Sequence, residues 1–314
     1  MQNKIAAARF RAKALSDIRA FFSARNVLEV ETPLLSQGAS HDFHIDLFSV
    51  PSEPVTGDMR FLQTSPEPHM KRLLARGYPD IFQISKAFRM GESGKKHNPE
   101  FSMIEWYRLD FSLLQMMAET VELCQTVVGP LPATYVSYGE AFLKATGLDP
   151  FSAGYELLVS HPTIAAHGLK VKDFAEAPDV LNFLMSEVVE PSLNPSILTI
   201  IHSFPLILSS QAQPDPQNPQ ASLRFEVFAG GMELGNGYQE LRDIGEYRLR
   251  FERENAKRKA AGKPVPPLDE RLFGDMQEGF PACSGVAVGL DRLIQLGMGL
   301  SRLNEVLEFP WEKS

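Results

Sequence analysis

The sequence predicts an α+β fold, an antiparallel β-sheet flanked by helices, and two observations carry that prediction. Apolar runs with strand alternation come as hairpin pairs, Ile81 to Phe88 with Phe101 to Tyr107 and Leu223 to Phe228 with Met232 to Glu240. Helical patterns stand on both sides of those pairs, so consecutive strands run antiparallel and helices cover the sheet. Turn residues fit this reading: Gly91, Gly94 and Asn98-Pro99 break the first pair, and Gly230-Gly231 the second.

Each element has its own signal. Ile5 to Arg25 reads as an amphipathic helix with Ile5, Phe10, Ala14, Ile18, Phe21 and Phe22 near one stripe. Val27 to Pro33 follows as a short strand stopped by proline, and residues 67 to 77 look helical, with Ser65 placed to cap them. Ser112 to Val128 is expected as a helix with Leu113, Leu114, Met117, Val121 and Leu123 inward. The stretch from 129 to 195 mixes short helices with Pro and Gly breaks and reads as a helical insertion. Ile197 to Ser203 is a buried strand, Gln211 to Gln220 an exposed loop, and Ile244 to Ala261 a charged helix. Gly285 to Gly289 is a strand running into a helix from Leu290 to Met298. The expectation is a single domain spanning residues 1 to 314.

The chain has 314 residues, 44% of them hydrophobic and 22% charged, enough to bury a large core. Its net charge of −8 speaks against a broad electrostatic nucleic-acid surface. Cys124 and Cys283 fit no metal-ligand spacing and read as reduced thiols, and no segment resembles a leader or a membrane span, so a cytoplasmic location is expected.

Four places carry candidate chemistry. Thr64-Ser65-Pro66-Glu67 opens a helix, where capping and dipole pairing alone would explain Ser65 and Glu67. The stretch from Phe88 to Tyr107 concentrates Arg89, Glu92, His97, Phe101, Glu105 and Tyr107 around a turn. An arginine fork there can grip phosphate, and an aromatic ring can face a base. Ser93, Gly94, Lys95 and Lys96 read as a solvated loop tip. In the third place, Glu233 and Glu240 lie seven apart, on opposite faces of a plain strand, and a bulge at Gly235 or Gly237 would bring them together as Mg²⁺ ligands. The fourth is Ser284 to Arg292, a strand, a glycine and a helix start ending in Asp291-Arg292, which alone would pass for a surface pair. Phosphate-loop, dinucleotide, zinc-protease and acyl-serine motifs are absent.

Together the four places resemble the catalytic domain of class II aminoacyl-tRNA synthetases, specifically the lysyl type. Arg25 to Pro33 resembles motif 1, Phe88-Arg89 through His97-Asn98-Pro99-Glu100-Phe101 motif 2, and Gly285 to Arg292 motif 3. Glu233-Leu234-Gly235-Asn236-Gly237 resembles the segment before motif 3. The motif 1 helix begins almost at Met1, so no anticodon-binding barrel is expected. SPEPHMKRLL, HNPEFSMIEWYR and CSGVAVGLDR look closer to a stand-alone branch that joins (R)-β-lysine to a lysine of elongation factor P.

The resemblance implies ATP as substrate, Mg²⁺, a homodimer through motif 1, elongation factor P as acceptor, and no tRNA. It makes Arg89 and Arg292 catalytic and gives ATP to Arg89, Gly91, Glu92, His97, Phe101, Glu233, Leu234, Gly289 and Arg292. Glu233 and Glu240 become the metal ligands, while Ser65, Pro66, Glu67, Glu105, Tyr107, Glu240 and Ala287 line the amino-acid pocket. Gly91 stands where many members carry an adenine-reading glutamate, so Glu92 or a backbone group near Gly91 is expected to take that contact. Ala287 replaces a glycine of the lysyl enzymes, which implies a reshaped pocket. A minimal tRNA-charging enzyme, a silent amino-acid sensor and an ammonia-using amide synthetase are the rival readings.

Overall fold

The computed structural model describes residues 2–52 and 59–314. The chain divides into two compact units, Met1–Pro130 with Glu240–Ser314, and Leu131–Gln239.

In the first unit the Ile81–Phe88 and Glu100–Leu109 strands form the expected hairpin, and Cys283–Gly289 lies antiparallel against the second of them. Leu28–Glu29 pairs in parallel with the start of the first. That edge strand is shorter than the expected 27–33 run: past Glu29 the Val30 N–H still donates to Phe82 O (2.9 Å) and the Thr32 hydroxyl to the Gln83 side chain (3.0 Å), but Pro33 has no N–H to give. A small three-stranded sheet of Leu35–Ser36, Ser49–Pro51 and Met59–Leu62 carried no period-two signal, because its strands are two to four residues long.

Helices Gln2–Ser23 and Leu113–Val128 form as expected, and Ala14, Ile18, Phe21 and Phe22 are buried on the first, whereas Ile5, placed on the same stripe by the sequence, is 51% exposed near the helix start. Ser112 caps the second through a reciprocal pair with Gln115. Leu114 was expected inward but is 65% exposed, since the adjacent Leu113 already occupies the buried stripe. Phe22 stacks on Phe82 with ring centroids 4.4 Å apart and meets Trp106 edge-on at 5.4 Å, which fixes the first helix on the hairpin. A second cluster, including Met70, Ile81, Tyr107, Tyr247, Phe273 and Cys283, lies under helices Glu67–Ala75, Ile244–Ala260 and Glu270–Gly279.

The second unit holds Ala133–Ser137, parallel to Leu198–Pro205, followed antiparallel by Asn218–Ala229 and Met232–Gln239. Gly230 and Gly231 both have positive φ, the requirement of a tight two-residue hairpin turn that glycine meets without strain. The expected loop 211–220 is mostly exposed, yet half of it is strand. Pro214–Asp215 pairs with the beginning of the long Asn218–Ala229 strand, the backbone ladder prevailing over a loop-like composition. The helical stretch 129–195 also contains the 133–137 strand, and its short helices pack around Tyr138, Phe142, Leu181 and Leu184.

Phe22 has no exposed surface and meets the rings of Phe21, Phe82 and Trp106, so Phe22→Ala is expected to destabilise the protein by about 3–5 kcal/mol. Urea unfolding would read this as a lower midpoint at unchanged slope.

Candidate active site

The hairpin places its functional residues by register. Glu105 and Tyr107 lie two apart on one strand and therefore share a face. Across the ladder Ala287 stands opposite Glu105, and Gly285 opposite Tyr107. The glycine is required at 285. A methyl group built there would overlap the Tyr107 ring and come within 2.7 Å of Glu240 Oε1, so the ring and the carboxylate occupy the space a side chain would take.

The acids meet around a buried lysine. Lys71 has no exposed surface, and its Nζ lies 2.5 Å from Glu67 Oε1, 2.6 Å from Glu240 Oε2 and 3.4 Å from the Tyr247 hydroxyl. Glu67 is brought there by the Glu67–Ala75 helix. The residue directly before its first turn is Pro66, which has no side chain able to cap, and the Ser65 hydroxyl accepts the Glu67 N–H at 3.2 Å, as a helix-capping side chain does. Glu240 is positioned by its backbone N–H, which donates to Cys283 O at 3.0 Å. Tyr107 donates its hydroxyl to Glu105 Oε1 at 2.7 Å, and Glu105 Oε2 is buried with no hydrogen-bond partner.

At the other end of the hairpin Arg89 leaves the strand with its N–H on Pro99 O (2.9 Å). Its guanidinium lies 5.1 Å from the centre of the Phe101 ring and 3.9 Å from Glu92, and its buried Nε has no hydrogen-bond partner. Gly91 takes φ +80°, the left-handed conformation in which a side chain would be strained. Arg292, in the helix N-capped by Gly289, donates Nε to Lys96 O at 3.1 Å and sets Nη2 2.7 Å from His97 Nε2. Its neighbour Asp291 is not a surface partner. It is 2% exposed, pairs with Arg11 and accepts the Ser102 N–H at 2.7 Å, because the helix face it occupies packs inward.

In the second unit Glu233 is half-buried on the Met232–Gln239 strand and Leu234 is buried. The register shift falls at Leu234, between the Val227–Gly235 and Phe228–Glu233 pairs, and not at Gly235 or Gly237.

The family model for class II tRNA synthetases of the D, K and N type matches residues 2–313. The chain belongs to that family. Among curated relatives it is 40% identical over 302 residues to an elongation factor P--(R)-beta-lysine ligase of Haemophilus influenzae (strain PittGG), covering 95% of this chain and 93% of the relative. A protein of the same name from Proteus mirabilis is 41% identical over 307 residues (96% and 93%), and one from Photorhabdus laumondii is 42% identical over 313 (97% and 94%).

Within this synthetase domain the sequence reading missed three residues. Lys71 is signalled only by its i, i+4 spacing from Glu67, which on a surface helix means little. Gly285 looked like part of an ordinary strand. Glu226, on the Asn218–Ala229 strand, is held by Arg224 at 2.5 Å, and no turn or motif marks it. Burial raises the Glu226 carboxyl, Arg224 counters that effect, and the charge of Glu233 adds to it, so two carboxylates of one hairpin sense each other. Among the described residues no group of three or more acids, histidines or cysteines is arranged to hold a metal. Two oxygen ligands of this kind nevertheless suit Mg²⁺, which takes the rest of its shell from phosphate and water.

Burial also dominates the electrostatics of the lysine cluster. It pushes the Glu105 carboxyl up to about 8, the charge of Glu67 adding to the shift and the Tyr107 hydrogen bond opposing it. Burial acts against the Lys71 ammonium, yet Glu240 and Glu67 outweigh it and hold the group charged.

The folded protein keeps the Glu105 proton up to about 8, whereas an exposed carboxyl releases it near 4.5. Its contribution to stability is therefore fully present below the lower value and is lost as pH rises through the upper one. Glu105→Gln is expected to flatten the fall in stability between those limits. Unfolding measured at a series of pH values checks this, and an unchanged slope would rule out Glu105 as its source.

Proposed function

We propose that this protein activates (R)-β-lysine with ATP and transfers it to a lysine side chain of elongation factor P. The observation that carries the reading is the charge of the buried cluster. Glu67, Glu105 and Glu240 stand against a single cation, Lys71. When all are ionised an excess of two negative charges remains, which a substrate with two ammonium groups neutralises. The names of the relatives, which match this chain over nearly their whole length, support the same acceptor and amino acid.

In the first step an oxygen of the substrate carboxylate attacks the α-phosphorus of ATP and diphosphate leaves, giving the aminoacyl-adenylate. The nucleophile is already ionised, so no general base is needed and catalysis consists of positioning and charge stabilisation. Arg89 is proposed to hold the α-phosphate, with Phe101 and Arg292 on either face of the adenine and His97 toward the outer phosphates. Glu92, or a backbone group beside Gly91, is proposed to read the adenine amino group. Mg²⁺ would spread the charge of the phosphates. Glu233 is its proposed ligand, with Glu226 on the paired strand as a proposed second carboxylate. Of the two roles expected of Glu240, metal ligand and pocket wall, its ion pair with Lys71 supports the second.

In the second step the neutral amine of the acceptor lysine attacks the acyl carbon and AMP leaves. An amide forms and the amine loses its proton. Glu105, buried with one free oxygen opposite Ala287, is placed to receive an ammonium group of the substrate, Tyr107 orienting its other oxygen. Ser65 and Pro66 complete the wall beside Glu67. The motif 1 segment is proposed as a homodimer contact.

Incubation with ATP, Mg²⁺ and labelled (R)-β-lysine is expected to label elongation factor P and leave bulk tRNA unlabelled; label on tRNA alone would overturn the assignment. Ala287→Gly removes the methyl group opposite Glu105 and is expected to shift pyrophosphate exchange toward α-lysine. An unchanged ratio of the two amino acids would exclude Ala287 from substrate choice.

A further inference from the structure

Ser93 to Lys96, expected as a solvated tip, are exposed, yet the four successive residues from Lys95 to Asn98 are bound by later parts of the chain. Leu303 N–H donates to Lys95 O (3.0 Å), Arg292 Nε to Lys96 O (3.1 Å), and Arg292 Nη2 meets His97 Nε2 (2.7 Å). The Trp311 N–H donates to Asn98 Oδ1 (2.9 Å). Asn98 uses its remaining group, Nδ2, to bind Glu100 O at 2.6 Å, so one side chain joins the loop, the strand that follows it and the C-terminal segment.

That segment is itself anchored. Leu303, Val306 and Leu307 are buried, and Lys4 Nζ on the first helix donates to Asn304 O (2.6 Å) and to Leu307 O. The side chains of Lys95 and Lys96 remain exposed and these two residues are held through their carbonyl oxygens, whereas His97 and Asn98 are held through their side chains.

We propose that residues 303–311 form a strap that positions the ATP-binding loop, with Asn98 and the Trp311 N–H as its positioning link. Without the strap, the 91–99 loop would lose its contacts at Lys95 and Asn98 and keep only those of Arg292 with Lys96 O and His97 beside the bonds at its base, Arg89 N–H on Pro99 O and Met90 N–H on Asp46 O (2.8 Å). ATP binding would then have to order it, and that entropy would appear as weaker affinity. The inference rests on the reading of this loop as the ATP site. It adds residues that touch no substrate and act through the loop.

The link can be cut at one atom. Trp311 is the first residue of a 3₁₀ turn after Pro310, a position that accepts proline, so Trp311→Pro removes the N–H while Trp311→Ala keeps it. Pyrophosphate exchange should show KM for ATP about fivefold higher in W311P than in W311A, the usual worth of one hydrogen bond, with KM for the amino acid unchanged. Asn98→Ala should act on the same constant. Asn98→Asp, which keeps the acceptor oxygen, should recover most of the loss, and N98A combined with W311P should be no worse than either alone. Equal KM for ATP in W311P and W311A, effects that multiply in the double variant, or an equal rise in both KM values would each overturn the strap. Arg89→Ala separates the two levels. If it weakens ATP while W311P does not, the strap fails and the loop remains the ATP site; if it leaves ATP unaffected, the reading beneath the strap fails as well.

Discussion

A lysine with no exposed surface must be paired, and the first unit is organised around that requirement. Removing one partner of such a buried pair typically costs about 3–5 kcal/mol, because the remaining charge has neither water nor counter-ion. Lys71 reaches Glu67 one turn back on its own helix and Glu240 more than a hundred residues away. The pairing thereby fixes the helix after Pro66 to the residue that follows the second hairpin. Tyr247 closes the cluster from a third element, its ring centre 5.1 Å from the ammonium. None of the three elements can move without exposing a charge to an apolar surrounding.

The same constraint shapes the chemistry. One lysine cannot neutralise three carboxylates, and burial resists leaving the excess ionised, so Glu105 holds its proton into the neutral range. Such a cluster is held ready for added positive charge. Its carboxylates are directed by groups that cannot drift: Tyr107 fixes one oxygen of Glu105, and the absence of a side chain at Gly285 lets the ring and Glu240 sit close together. The other end of the hairpin uses another device. Arg89 and Phe101 stand at strand ends, while the loop between them is held from outside at Lys95, Lys96, His97 and Asn98.

Much of this was legible in the sequence. Both hairpins, the helices at 2–23, 67–75, 113–128 and 244–260, and the strand leading into Arg292 follow from apolar periodicity and turn residues, which act locally. Arg89, Phe101, Glu105 and Tyr107 stood out because charge on a strand needs a partner. Local signals misled where two residues competed for one place. Leu114 lost the buried stripe to Leu113. Composition misled at 211–220, where polar residues and prolines pair at the end of a long strand.

By itself the sequence determined the α+β elements, the order of the motifs and hence the family, and the residue types able to bind phosphate and ammonium groups. Only the tertiary structure decided that Lys71 belongs to the acidic cluster, that Gly285 is the seat of Tyr107, that Glu226 senses Glu233, and that Trp311 holds Asn98. The reason is physical. Periodicity and turn chemistry act over a few residues and are written in neighbouring letters, whereas charge compensation, close approach and long-range hydrogen bonds join residues that become neighbours only once the chain has folded.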